Sequence, residues 1–169
     1  MSMALRAVLA AALLGASEAA PAKPAADDFT TFRVMAPELA LELATAALRA
    51  CRDRGFQVAV AVTDRFGLVQ VVVRDRLAGQ HTPDTAIAKA RAAVSFRTDT
   101  LALARVTESG QLNSGIRHLP GFVFIGGGVP VEAGGAIVGG IGISGAPGGE
   151  EDDACARAGI AAVEDRLMM

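Results

Sequence analysis

From Phe122 to Gly149 glycine interrupts the chain so often that only short strands joined by tight turns fit the tract. Three β-prone runs stand out: Phe122 to Ile125, Val129 to Glu132, and Ala136 to Ile143. Gly126-Gly127-Gly128 and Gly134-Gly135 separate them and reach positive φ without a Cβ clash, as tight hairpin connections require. The spacing predicts a three-stranded meander. Upstream, Gln57 to Thr63 and Leu68 to Val73 flank the turn-forming Asp64-Arg65-Phe66-Gly67 and predict a hairpin. Three helices complete the pattern. Pro37 opens the first, with Leu39, Leu43, Ala46, Ala47 and Ala50 on one face and Gly55 as its stop. Thr82, as N-cap, with Pro83 and Asp84 begins a long helix reaching about Ala104. Glu150 to Asp153 begin the last, where Cys155, Ala158, Gly159 and Ala162 form a stripe of small side chains. Helix, two strands, helix, three strands, helix is the order of a single α+β domain. At 169 residues and 51% hydrophobic content the chain has material for one substantial core.

The first residues follow the pattern of a signal peptide over 1–19: a short positive start, an apolar run from Ala7 to Ala16, and a small-x-small end at Ser17-Glu18-Ala19. The apolar run is shorter than the ~20 residues a membrane span needs, so no transmembrane anchor is expected. A flexible lead-in over 20–36 and a domain over 37–169 follow. The expected location is periplasmic or secreted. Cys51 and Cys155 are the only cysteines and form no CxxC or Cys/His cluster. In an oxidising compartment they pair, or they stay as two buried inert thiols; the residues alone favour neither.

Charge and composition exclude several classes. A net charge of −2 and a pI of about 5.7 provide no basic field for nucleic acid, and the chain has no Trp or Tyr for stacking. Absence of Tyr also removes tyrosinate as an iron ligand. The glycine-rich run Gly139 to Gly149 lacks the Gly-Lys-Ser/Thr ending of a phosphate loop, and four acids follow it. Ser144 misses a nucleophile elbow because Ala146 replaces its last glycine, and no base partner is evident. No nucleophile and base constellation marks an enzyme.

Several runs, in order and spacing, resemble the GlcG/HbpS-like family. They are Val60 to Gly67, Ala86 to Thr100 with Lys89-Ala90 and Phe96-Arg97, Pro120-Gly121, Gly127 to Pro130, Val138 to Ala146, and Asp152 to Ile160. The resemblance covers nearly the whole chain after residue 36. It implies a profilin-like fold, a five-stranded antiparallel sheet with helices on both faces, and assembly into homo-oligomers. It also implies binding of haem or a related tetrapyrrole, which some members degrade. A family threonine linked to haem binding matches Thr100. The first-helix histidine of another branch has no counterpart, since residues 37 to 54 contain none. The implied packing of the first and last helices on one sheet face would bring Cys51 and Cys155 together.

Haem needs an apolar slot, an axial donor and cations near its propionates. His118 and His81 are the only imidazoles and hence the candidate iron ligands. His118 ranks first because Arg117 beside it suits a propionate. Arg97 and Lys89 are further propionate partners by charge, against the plainer reading of a solvated helix face. Thr100 offers a hydroxyl near the ligand, or a bond to its own helix backbone. Phe96 and Phe122 wall a macrocycle or fill the core. The leading expectation is therefore an exported haem-binding protein that sequesters, senses or slowly degrades haem. Its rival is an oligomeric accessory protein without a cofactor.

Overall fold

The computed structural model describes residues 30–168, so the expected signal peptide and the first part of the lead-in lie outside the described residues. The elements are α1 (Pro37–Asp53), β1 (Ala59–Asp64), β2 (Val69–Arg74), α2 (Thr82–Phe96), α3 (Thr100–Val106), a 3-10 turn (Ser114–His118), β3 (Gly128–Ala133), β4 (Ala136–Ser144), α4 (Gly149–Ala162) and α5 (Glu164–Leu167). Ahead of α1, Met35 is buried, and the Arg65 guanidinium lies 4.1 Å over the Phe32 ring.

All strand pairs are antiparallel, in the order β2-β1-β4-β3. β1 is central, and alternation along it divides the molecule. Val58, Val60 and Val62 join the large core under α1 and α4, while Ala59 and Ala61 meet Ala86 of α2 on the other face. β4 repeats the division. Ile141 and Ile143 enter the large core, whereas Gly140 and Gly142 lie under α2. A Cβ on Gly142 would run into the Ala86 carbonyl, and one on Gly140 would sit 2.8 Å from Val94 Cγ1. On this face α2 rests almost directly on sheet backbone. On the opposite face α1 and α4 cross closely because Gly159 offers no side chain to Ala47; a Cβ there would fall 2.6 Å from Ala47 Cβ. Beside that crossing Cys51 and Cys155 form a disulfide with a Cα separation of 5.4 Å.

Several expectations need correction. The sheet has four strands, not five. Phe122 to Ile125 is not a strand: Phe122 and Phe124 instead turn edge-on to Phe96, with ring centroids 5.8 and 5.3 Å away, over Ala92 and Leu103. Accordingly Gly126 to Gly128 do not make a hairpin turn, and Gly128 already belongs to β3. The long helix ends at Phe96. Arg97 adopts φ 54°, Thr98 N–H returns to Ala93 O at 3.2 Å, and Asp99 restarts the helix by accepting from Ala102 N at 2.7 Å. Thr82 does not cap α2 with its hydroxyl, which donates to Gly79 O at 2.7 Å.

Candidate functional site

The small side chains between α2 and the sheet leave an open cleft of about 740 Å³ where β1 and β4 meet the start of α4. Phe56 and Gln57, which lead into β1, form one wall together with Leu77. The glycine-rich loop from Ser144 to Gly149 forms another, and Ile125 closes a side. His81, Thr85 and Lys89 face it from α2 and its lead-in. Leu77 and Ile125 are exposed apolar side chains, at 78% and 51%, although both belong to this lining. Apolar walls with a few polar groups are the usual make-up of a small-molecule site.

Lys89 and Asp152 make the polar floor. Lys89 Nζ donates to Asp152 Oδ2 at 2.7 Å and to Ile143 O at 2.9 Å, while Asp152 Oδ1 accepts from Ala146 N at 3.0 Å. The pair thus ties α2, the end of β4, the glycine-rich loop and α4 together. Both side chains are buried, so burial pushes the Lys89 ammonium below its ordinary range and the Asp152 carboxyl above its own, and each charge restrains the other's shift. Lys89 is therefore not on a solvated helix face, and its charge is spent within the protein.

The other candidates lie apart. His81 is exposed and lines the cleft, with its ring close to the Gly79 backbone. His118 is exposed and borders a separate hollow of about 330 Å³ lined by Thr107, Ser109, Ser114, Gly115 and Arg117. Arg117 donates through Nε to Thr107 O at 2.6 Å and through Nη2 to Ala104 O at 2.8 Å, so it closes the end of α3. Arg97 is exposed at the end of α2 and is not part of the cleft lining. Thr100 is fully buried; its Oγ1 donates to Ile125 O at 2.7 Å and accepts from Gly128 N at 2.8 Å. It holds the segment that presents Ile125 to the cleft. Phe96 packs in the small aromatic core with Phe122. Among the described residues no three His, Cys, Asp or Glu side chains gather in a group that could hold a metal ion.

A family model for haem-degrading HbpS-like proteins matches residues 35–161. The chain belongs to this HbpS-like family. A crystal structure of a double mutant of Streptomyces reticuli HbpS is 39% identical, over 86% of this chain and 97% of that one, with a TM-score of 0.75. The PduOC:Heme complex is 31% identical, over 76% of this chain and 94% of that one, with a TM-score of 0.72. The Klebsiella pneumoniae protein ORFY, at 22% identity and a TM-score of 0.79, shares the fold over 82% of this chain and 97% of its own. No curated protein matches the chain. Among the described residues no helix is long and apolar enough to cross a membrane.

Sequence reasoning named His81 and Lys89 but missed Phe56, Gln57, Leu77 and Ile125. They come from three separate connections, with no spacing relation between those connections. Tertiary structure alone assembles them. The glycine-rich run from Gly139 to Gly149 is read in the sequence only as a phosphate loop and set aside, although its part from Ser144 to Gly149 lines the cleft.

Proposed function

We propose that this HbpS-like protein binds haem in the cleft beneath the start of α2, with His81 as axial donor. The observation that carries the reading is the position of His81 in an apolar-walled cleft of about 740 Å³, within the range of about 300 to 1,000 Å³ usual for small-molecule sites. The fit has three parts. Phe56, Leu77, Ile125 and Pro147 supply apolar surface for a macrocycle. An imidazole is a competent haem ligand. Lys89 and Asp152 neutralise one another, so the floor carries no net charge to repel an apolar ring. Bound haem would supply redox chemistry at iron, and the chain's own contribution is to hold the ring, donate the imidazole and limit water.

His118 ranks below His81 on this reading, because its hollow is smaller and its other lining residues are polar or small. Thr100 acts at one remove, by fixing the backbone that carries Ile125. The haem complex of a 31% identical structure and the haem-degrading family support the ligand class. Export belongs to the same proposal. The disulfide suits an oxidising compartment, in agreement with the signal-peptide pattern of residues 1–19. Titration of the protein with haem tests the binding claim. A saturable Soret shift at one equivalent is the expected result, and a spectrum equal to free haem plus protein would reject it.

A further inference from the structure

The segments that flank the cleft on its two sides differ in charge, their charged residues adjoining the lining without being part of it. On one side the lining residues Gly55 and Leu77 directly follow Arg54 and Arg76. The end of α1 and the connection after β2 are joined by Arg52, which donates to the Asp75 carboxylate through Nη2 at 2.6 Å and through Nε at 2.9 Å. That ion pair holds the segments bearing Arg54 and Arg76 side by side. It also uses the Arg52 charge, and the guanidinium keeps the buried Asp75 carboxyl below its ordinary range, with Arg76 adding to the same field. Arg74 is turned to the Ala78 carbonyl. Arg54 and Arg76 are exposed, and neither side chain makes a hydrogen bond within the described residues. With Asp53 and Asp75 the only acids in these two segments, four guanidiniums stand against two carboxylates. On the other side, Glu150 and Glu151 follow the lining residues Gly148 and Gly149 and make that rim acidic.

We propose that Arg54 and Arg76 form a carboxylate-binding rim that orients the cleft's ligand, a flat apolar molecule with carboxylates along one edge. The proposal rests on the haem reading and adds to it which way the propionates face. A ring entering with its carboxylates toward Glu150 and Glu151 meets like charge; entering the other way, it meets two guanidiniums able to make paired hydrogen bonds to carboxylate. None of Arg97, Arg117 or Lys89 is available for this task, since Arg97 ends α2 while the cleft lies along its first turns, Arg117 closes α3 and Lys89 is paired with Asp152.

Fluorescence titration with iron-free protoporphyrin isolates this rim from axial ligation. Two probes are used, the free dicarboxylic acid and its dimethyl ester, on the native chain and on the Arg54→Gln/Arg76→Gln double variant. The native chain should bind the acid about fivefold more tightly than the ester, as two exposed ion pairs allow, and added salt should erode the preference. The double variant should lose the preference while keeping its affinity for the ester and its melting temperature. Equal binding of acid and ester by the native chain, or an undiminished preference in the double variant, would overturn the rim alone. Binding of neither porphyrin by the native chain would also overturn the rim, while the haem reading stands or falls on the haem titration, in which His81 can ligate iron.

Discussion

The two faces of the sheet are covered by opposite means. Under α1 and α4, branched side chains fill the gap: Val58, Val60, Val62, Ile141 and Ile143 interlock with Leu39, Leu43 and Leu48, and a disulfide joins the two helices. Under α2, glycine and alanine remove the gap, so helix backbone meets strand backbone at Gly142 and Ala86. Bulk is replaceable methyl by methyl, whereas a backbone contact admits no added atom. The second design also explains the site. Where the close approach ends, toward the start of α2, no large side chain stands ready to fill the space, and a cleft remains. The same face receives the one buried ion pair among the described residues in which both side chains are almost fully enclosed, Lys89 with Asp152.

The largest effect expected is on the α1 and α4 face. The disulfide spans a sequence separation of 104, for which the chain-entropy model gives about 4 to 5 kcal/mol. Replacing both cysteines, Cys51→Ala with Cys155→Ala, should lower denaturant stability by that order while the fold persists. A loss below about 1 kcal/mol would mean that the packing of this face holds unaided.

A smaller pair of effects compares the faces directly. Gly142→Ala should cost about 3 kcal/mol, because the new methyl meets the Ala86 carbonyl and neither backbone can retreat. Ile143→Val, one residue away on the opposite face, should cost about 1 kcal/mol for the methyl removed. Thermal or urea unfolding of the two variants checks the ranking. Equal costs would show that α2 can lift from the sheet and that the contrast between faces is only apparent.

Local chemistry made much of the fold legible in the sequence. Pro37 starts α1, Gly67 completes the turn between β1 and β2, and Gly134-Gly135 connect β3 to β4. The failures arise where distant partners override local preference. Phe122 to Ile125 has strand composition, yet Phe122 and Phe124 gain more by packing against Phe96 than by joining an edge. The break at Arg97 had a signal in Thr98-Asp99, a helix-capping sequence that the apolar periodicity across it conceals. Lys89 looked like a solvated cation because its counter-charge, Asp152, lies 63 residues away. The cysteine pairing was open for the same reason, until α1 and α4 were placed on one face. Of the proposed site, the two imidazoles are readable as candidate donors from composition, but which of them faces a cleft is not.

On the proposed haem reading, the choice between the two imidazoles decides where the ring would sit. Absorption spectra of the haem-loaded protein, compared with those of His81→Ala and His118→Ala, test it most directly. His81 lines the cleft and His118 borders a smaller polar hollow, so His81→Ala should shift the Soret band and abolish imidazole ligation, and His118→Ala should leave the spectrum unchanged. A shifted spectrum in His118→Ala with an unaltered one in His81→Ala would contradict the assignment of the cleft as the haem site.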